Sequence, residues 1–398
     1  MTSELGRAGR FIQQTGGFRA FIPAPLPPEP PIVFDYNMVA LLSRADQALG
    51  RLDGVTQTLP NPDLFVAMYV RREAVMSSQI EGTQSTLDDV LAFEINTRNR
   101  GLPRDVAEVV NYVNAMNYGR TRLAEFPLSL RLLREIHARL LEGTRGSERQ
   151  PGEFRISQNW IAPEHAPLAQ AVFIPPPVPD MMNALDNFER FLHEERDLPL
   201  LIHCGLAHAQ FETIHPFLDG NGRMGRLLIT FLLCHRGALS QPLLYLSYYL
   251  KRNHAEYYDR LTAIREQGSW EEWLRFFLRG VAQMAEEATD TARAIVRLRD
   301  QHRALVQEKN QAINGLRVLD LLFQRPLITV NLVKDSLSVA FATANTAVEG
   351  LESLGILQEI TGQERFRIFR YTPYLALFEE TPPVPEQDVP VQSTTTGV

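Results

Sequence analysis

The sequence predicts a mainly α-helical protein that carries one short β-hairpin flap and a C-terminal winged helix-turn-helix domain. Three observations carry that expectation. Apolar residues recur at helical spacing over most of residues 36–308. One segment, PGEFRISQNWIAPEHAPLAQAVFIPPPVP (151–179), breaks the rhythm with proline, aromatic and β-branched residues, and reads as a hairpin or extended flap. From about residue 312 the style changes. GLRVLDLLFQ, TVNLVKDSLS and AFATANTAVEGLESLG look like three short helices, and ILQEITGQERFRIFRYT then alternates apolar and polar residues around Gly362.

From the N-terminus, residues 1–32 end in PAPLPPEPP and read as a proline-rich arm packed on the body. Helices are expected over 36–50, 62–81, 85–96, 104–124, 128–142, 178–196, 199–213, 223–236, 251–267 and 270–308. The 62–81 helix has a start signal, with Asn61 as cap, Pro62 in the first position and Asp63 in the first turn. Gly82 is its left-handed stop. The expected divisions are the arm (1–32), an N-terminal helical region (33–125), a core with trailing helices (126–310), the winged-helix domain (311–375) and a tail (376–398). The tail, with TPPVPEQDVPVQSTTTGV from Thr381, is expected to be disordered. No internal repeat is present.

A chain of 398 residues suggests two or three domains, and 44% apolar with 22% charged residues is ordinary for a globular protein with a normal core. A net charge of −7 argues against bulk electrostatic binding to nucleic acid or anionic membrane, while leaving room for a local basic patch. The two cysteines, Cys204 and Cys234, build neither a disulfide framework nor a cysteine-rich metal site, which suggests a reduced, cytoplasmic compartment. MTSELGRAGRFIQQTGG lacks the apolar core of a signal peptide, and the stretch nearest to a membrane span, 237–250, is short and broken by Pro242. No membrane partner is expected.

The chemistry is concentrated in HPFLDGNGRMGR, residues 215–226. Gly220, Asn221 and Gly222 tolerate positive φ, so successive backbone N–H groups can point to one side and bind an anion. The turn runs into an apolar helix whose N-terminus adds partial positive charge. Arg223 and Arg226 are three apart, so both guanidinium groups reach one region. Asp219 is a hard oxygen ligand suited to a Mg²⁺ shared with phosphates. His215 is a candidate general base. Phe217, between polar neighbours, is expected to anchor the loop in the core. Alone, each element also fits a surface turn or a structural histidine; a surface turn needs neither the arginines nor the histidine.

These twelve residues resemble the signature of the Fic family (filamentation induced by cAMP), His-Pro-Phe-x-Asp/Glu-Gly-Asn-Gly-Arg-x-x-Arg, at every position. The resemblance covers roughly residues 35–280 and implies transfer of AMP from ATP to a protein Ser, Thr or Tyr hydroxyl. It implies that His215 deprotonates the target hydroxyl and that Asp219 holds Mg²⁺ on the α- and β-phosphates. The turn 220–222 and Arg223 would cradle phosphates, and Arg226 would reach the γ-phosphate. Phe217, Leu218 and Asn221 join them as nucleotide-binding positions. The flap is similar to one that registers the target chain by β-augmentation, with 170–173, Val172 and Phe173 among them, over the nucleotide. Tyr257 and Tyr258 match a tyrosine pair on the adenine side, with core packing as their alternative. Some members carry asparagine where Arg265 stands.

A second stretch resembles the family's inhibitory motif, Ser/Thr-x-x-x-Glu-Gly/Asn. In SSQIEGT (77–83) Ser77, Glu81 and Gly82 hold its positions. Glu81 falls in the last turn of its helix, where the dipole disfavours an anion by roughly 0.3–1 kcal/mol. The resemblance implies that Glu81 pairs with Arg226 and occupies the γ-phosphate position; the alternative is a solvated helix end. Two other functions stay open. One is a related enzyme that uses another nucleotide or removes AMP. The other is a DNA-binding regulator with this core as sensor, although 336–355 contains no Lys or Arg to meet phosphates. Arg365, Arg367 and Arg370 lie on the wing. The expected partners are a protein substrate docking on the flap, the chain itself as a target, a second copy in a homodimer and, more weakly, DNA.

Overall fold

A computed structural model describes residues 6–58, 62–95, 104–162, 167–194, 198–308 and 313–379. It begins with strands that the proline-rich arm did not suggest. β1 (Gly9–Gln13) pairs antiparallel with β2 (Arg19–Pro23), placing Phe11 opposite Phe21. The signal was present in the intervening TGG turn. Phe21 is buried, and its N–H donates to the Ile174 carbonyl at 3.0 Å, which ties the arm to the flap.

The helical body runs α1 (Tyr36–Thr58), α2 (Pro62–Ile80), α3 (Leu87–Ile95), α4 (Arg104–Leu123), α5 (Leu130–Leu140), α6 (Val178–His193), α7 (Leu200–Ile214), α8 (Asn221–His235), α9 (Leu246–Arg252), α10 (His254–Gln267) and α11 (Trp270–Glu308). α1 outruns its expected end, continuing through Gly50 and Gly54 to Thr58. α8 starts two residues early, at Asn221. α9 was not expected; it is a short helix set off from α10 by Asn253. The proposed cap Asn61 lies outside the described residues, while Pro62 does open α2.

α7 forms the centre. It is buried around its whole circumference, at every position from 201 to 214, although it carries the polar residues His203, His208, Gln210, Glu212 and Thr213. α8 packs beside it. α5 shows the ordinary amphipathic solution: Ser129 caps it by accepting from the Leu132 N–H, and Leu132, Leu133, Ile136, His137 and Leu140 face inward. α11 spans 39 residues, roughly 58 Å at 1.5 Å per residue. It lies along α1 and donates from Trp273 Nε1 to the Gly205 carbonyl of α7 at 2.9 Å.

Among its described residues the flap forms one antiparallel bridge, Ile161 to Phe173, with a 3₁₀ turn at Leu168–Gln170. Residues 163–166 lie outside the described residues. Pro167 and 175–177 bring no N–H donors, which limits how far pairing extends.

The winged-helix domain comprises α12 (Ile313–Gln324), β3 (Leu327–Ile328), α13 (Val330–Leu337), α14 (Phe341–Ser353), β4 (Gln358–Glu359) and β5 (Phe369–Arg370), with strand order β3-β5-β4. Its wing is mostly loop. The Glu359 carboxylate accepts from Thr361 and Gly362 N–H at 2.8 and 3.0 Å, turning the chain out of the extended path. α15 (Thr372–Leu375) and a 3₁₀ turn (Ala376–Phe378) follow, and Phe378 is buried. The expected disordered tail therefore does not start at 376; residues 380–398 of that expectation lie outside the described residues. The domain packs on α2 through α12. Tyr69 of α2 stacks edge-on against Phe378 at 5.5 Å and donates to the Ala288 carbonyl at 3.0 Å. Arg370 meets Asp88 of α3 at 2.8 Å. Among the described residues no helix is long and apolar enough to cross a membrane.

Candidate active site

α7 ends at His215, which adopts the left-handed conformation (φ 49°, ψ 61°) and turns the chain sharply. Two flap residues hold the turn. Arg155 is buried and donates to the carbonyls of His215 (3.0 Å) and Pro176 (2.5 Å). Asn159 donates to the Phe217 carbonyl at 2.9 Å. The loop is also braced internally: Asn221 Oδ1 accepts from Phe217 N–H and its Nδ2 donates back to the Phe217 carbonyl, both at 2.9 Å. Phe217 is fully buried and stacks flat on His137, centroids 3.7 Å apart. It is thus the anchor expected, and Leu218 beside it is half-buried.

Gly220 caps α8 at φ +74°. A left-handed residue followed by helical ones turns successive N–H groups to one side, and the first N–H groups of a helix have no intrahelical acceptor. This end of α8 therefore presents a positive concavity. A carboxylate already sits against it. Glu81 Oε1 accepts from Arg226 Nη2 at 2.7 Å, and a side chain on Gly222 would come within 2.2 Å of the same oxygen. Arg226 is buried and also donates to Ser77 Oγ (2.8 Å) and the Ser77 carbonyl (2.9 Å). Burial opposes charge on both partners. The Arg226 charge nevertheless brings the Glu81 carboxyl below its ordinary range, and Glu81 holds Arg226 protonated. The Glu81 side chain keeps 30% of its exposure. It stands one residue beyond α2, followed by Gly82 at φ +95°.

Asp219 sits on the other side of the loop. Its Oδ1 accepts from Gly220 N–H at 2.6 Å and lies 3.8 Å from Arg223. Arg223 is buried and pairs at 3.0 Å with Glu108, which Arg145 also approaches at 3.5 Å. Burial raises the Glu108 carboxyl, and the two arginines offset part of that rise. Among the described residues no cluster of three His, Cys, Asp or Glu side chains forms a metal cage. The Asp219 side chain, 34% exposed, fits instead a hard cation held jointly with substrate phosphate oxygens.

Burial lowers the His215 imidazole to about 4, so it is neutral at pH 7 and able to accept a proton. Glu212, one helical turn earlier, is pushed by burial to about 7, and its Oε1 has no hydrogen-bond partner among the described residues.

The remaining predicted positions separate. Val172 is 74% exposed, whereas Phe173 is buried beneath the Arg265 guanidinium at 3.9 Å. Tyr257 is core: its hydroxyl meets His208 Nε2 at 2.8 Å and its ring packs near Trp273. Tyr258 keeps 38% exposure and lies within electrostatic reach of Glu81 and Arg226. The structure thus gathers His215, Asp219, 220–222, Arg223, Arg226, Ser77 and Glu81, and withdraws Phe173 and Tyr257 into packing. Sequence reading missed His137, Glu108, Arg155, Asn159 and Glu212. Glu108 and His137 carried a signal, as polar residues on the apolar faces of α4 and α5. Arg155 and Asn159 lay in an irregular flap whose pairing no periodicity reveals.

An all-helical core that ends a buried helix on a histidine and opens the next on a glycine-rich anion site defines a Fic-type domain. The chain matches the Fic/DOC family N-terminal domain over residues 39–121 and the Fic/DOC family domain over 127–233. Residues 316–369 match an HTH DNA binding domain. The chain is similar to Protein adenylyltransferase Fic of Drosophila sechellia and of Drosophila melanogaster, each 29% identical over 213 residues. That alignment covers 52% of this chain and 37% of the length of either relative. A Fic family protein from Desulfovibrio desulfuricans has the same fold, with a TM-score of 0.55 over 86% of this chain and 97% of that one at 19% identity.

Proposed function

We propose that the chain is a protein adenylyltransferase, moving AMP from ATP to a Ser, Thr or Tyr hydroxyl of a protein, and that Glu81 holds it inactive by pairing with Arg226. One observation carries this reading. The Glu81 carboxylate occupies the N-terminus of α8 on Arg226, against a glycine that leaves room only because it lacks a side chain. A place that holds a carboxylate in this way suits phosphate oxygens equally well.

With Glu81 withdrawn, Arg226 takes the γ-phosphate, while Arg223 and the N–H groups of 220–222 take the others. Neutral His215 accepts the proton of the target hydroxyl as its oxygen attacks the α-phosphorus. The new O–P bond forms as the bond to the bridging oxygen breaks, and pyrophosphate leaves. Asp219 would hold Mg²⁺, which would supply charge neutralisation on the phosphates. Positioning and electrostatics account for the rate gain. Val172 and Tyr258 are the exposed members of the nucleotide set. The winged-helix domain is read as a module for protein contact or dimerisation. α14 contains no Lys or Arg, and its Asn345 is bonded to Glu349 at 2.8 Å.

The test is intact-mass measurement after incubation with ATP and Mg²⁺. The Glu81→Gly protein is expected to gain AMP adducts and the parent few. If Glu81→Gly neither binds ATP nor transfers AMP to itself or to any added protein, the reading fails.

A further inference from the structure

We propose that His137 is a positioning residue that holds the backbone of Asp219 where its carboxylate can share a divalent cation with substrate phosphates; this rests on the adenylyltransferase reading above. The ring's tautomer is set by its neighbours. The Gly152 N–H donates to Nδ1 at 2.8 Å, so Nδ1 carries no proton. Nε2 therefore carries it and donates to the Asp219 carbonyl at 2.9 Å.

Three neighbouring loop residues lean on this ring. Phe217 stacks on it at 3.7 Å with 7° between the planes. Asp219 takes its hydrogen bond, and a side chain on Gly220 would come within 3.4 Å of Nε2. The ring stands on α5, a capped helix whose neighbouring Leu133, Ile136 and Leu140 are buried, so it is a fixed reference. The Asp219 carboxylate has no comparable anchor of its own. Among the described residues it accepts from the next residue's N–H, lies 3.8 Å from Arg223 and packs against Gly146, where a side chain would come within 2.7 Å of Oδ2, so its location follows that of its backbone. Gly152 opens the flap, whose stem α5 also grips through Arg134 Nε to the Gly152 carbonyl at 2.8 Å. One imidazole thus aligns the flap stem with the metal-binding residue.

A purely packing role predicts that an apolar ring would serve as well. In the Glu81→Gly background, Mn²⁺ is titrated in the presence of ATP, and free Mn²⁺ is followed by electron paramagnetic resonance. His137→Phe keeps the stack and removes both hydrogen bonds. It is expected to weaken ATP-dependent Mn²⁺ binding about tenfold, as loss of a supporting contact does. ATP binding in EDTA should be unchanged. His137→Gln, whose amide reaches the Nε2 position, should restore most of the affinity. His137→Asn, which reaches only the Nδ1 position, should behave like phenylalanine. If His137→Phe misfolds, the Gln and Asn variants decide between them. Parental Mn²⁺ affinity in His137→Phe, or in His137→Asn, overturns the proposal alone. Absence of ATP-dependent Mn²⁺ binding in the Glu81→Gly parent overturns the underlying reading with it.

Discussion

Oε1 of Glu81 lies 2.7 Å from Nη2 of Arg226, a residue 145 positions further along the chain, and the pair closes over the glycine at 222. The contact joins the end of α2 to the start of α8, two stretches that carry separate motifs in the sequence.

Glu81→Gly is expected to increase AMP incorporation strongly, measured with labelled ATP on the chain itself and on added protein. Removing one member of a buried pair ordinarily costs about 3–5 kcal/mol. The loss here should be smaller, because Arg226 keeps both bonds to Ser77. ATP should raise the melting temperature of the variant more than that of the parent. Equal incorporation in both proteins would reduce Glu81 to a helix end.

Arg226→Ala should not mimic Glu81→Gly. It abolishes the ion pair but also the group proposed for the γ-phosphate, so it should remain inactive, and the double variant should resemble it. Activity in Arg226→Ala comparable to Glu81→Gly would remove Arg226 from ATP binding.

His215→Ala in the Glu81→Gly background should lose transfer by about 10²–10⁴, the range for a general base. Calorimetric ATP affinity should be retained. Because His215 is lowered to about 4, its own titration should leave the rate flat across pH 6–8. Near-parental transfer by the alanine variant would refute the assignment.

Glu212→Gln tests the second buried carboxyl. Burial raises its folded pKa to about 7, above the ordinary carboxylate value, so the unfolded chain releases this proton first. Folding stability is then lost as pH rises from the unfolded pKa to about 7. Glutamine removes that loss, by at most roughly 3 kcal/mol well above pH 7 at 1.36 kcal/mol per unit. The variant should melt higher than the parent at pH 8 and similarly at pH 5. An unchanged difference between the two pH values would contradict it.

Much of this site was legible because its residues are contiguous. Positions 215–226 form one loop and one helix turn, so spacing alone brings base, carboxylate, anion nest and arginines together. Glu81 was legible for a different reason: an acid at a helix C-terminus is electrostatically misplaced until a cation is found for it. What stayed hidden depends on tertiary approach. Tyr257 and Tyr258 are adjacent in sequence, yet only their position relative to His208 decides which is core. The β1–β2 hairpin was masked by the prolines that follow it. Glu108 and Arg155 act through partners 115 and 60 residues away, and no local pattern announces such pairings.

The packing of α2 restricts how Glu81 can leave. Tyr69 is pinned to Ala288 and Phe378, and Arg71 is paired with Glu94 at 2.8 Å. Sliding the helix by one residue would rotate it about 100° and break all of these at once. On the proposed reading, a piston stroke is therefore not expected to release Glu81; unravelling of the final turn is, where Glu81, Gly82 and Thr83 are held by backbone bonds of 3.0, 3.1 and 3.3 Å. Such a release would leave the molecule's outline unchanged. Solution scattering should be blind to it, while amide exchange at residues 81–83 should accelerate and that of the preceding turns should not.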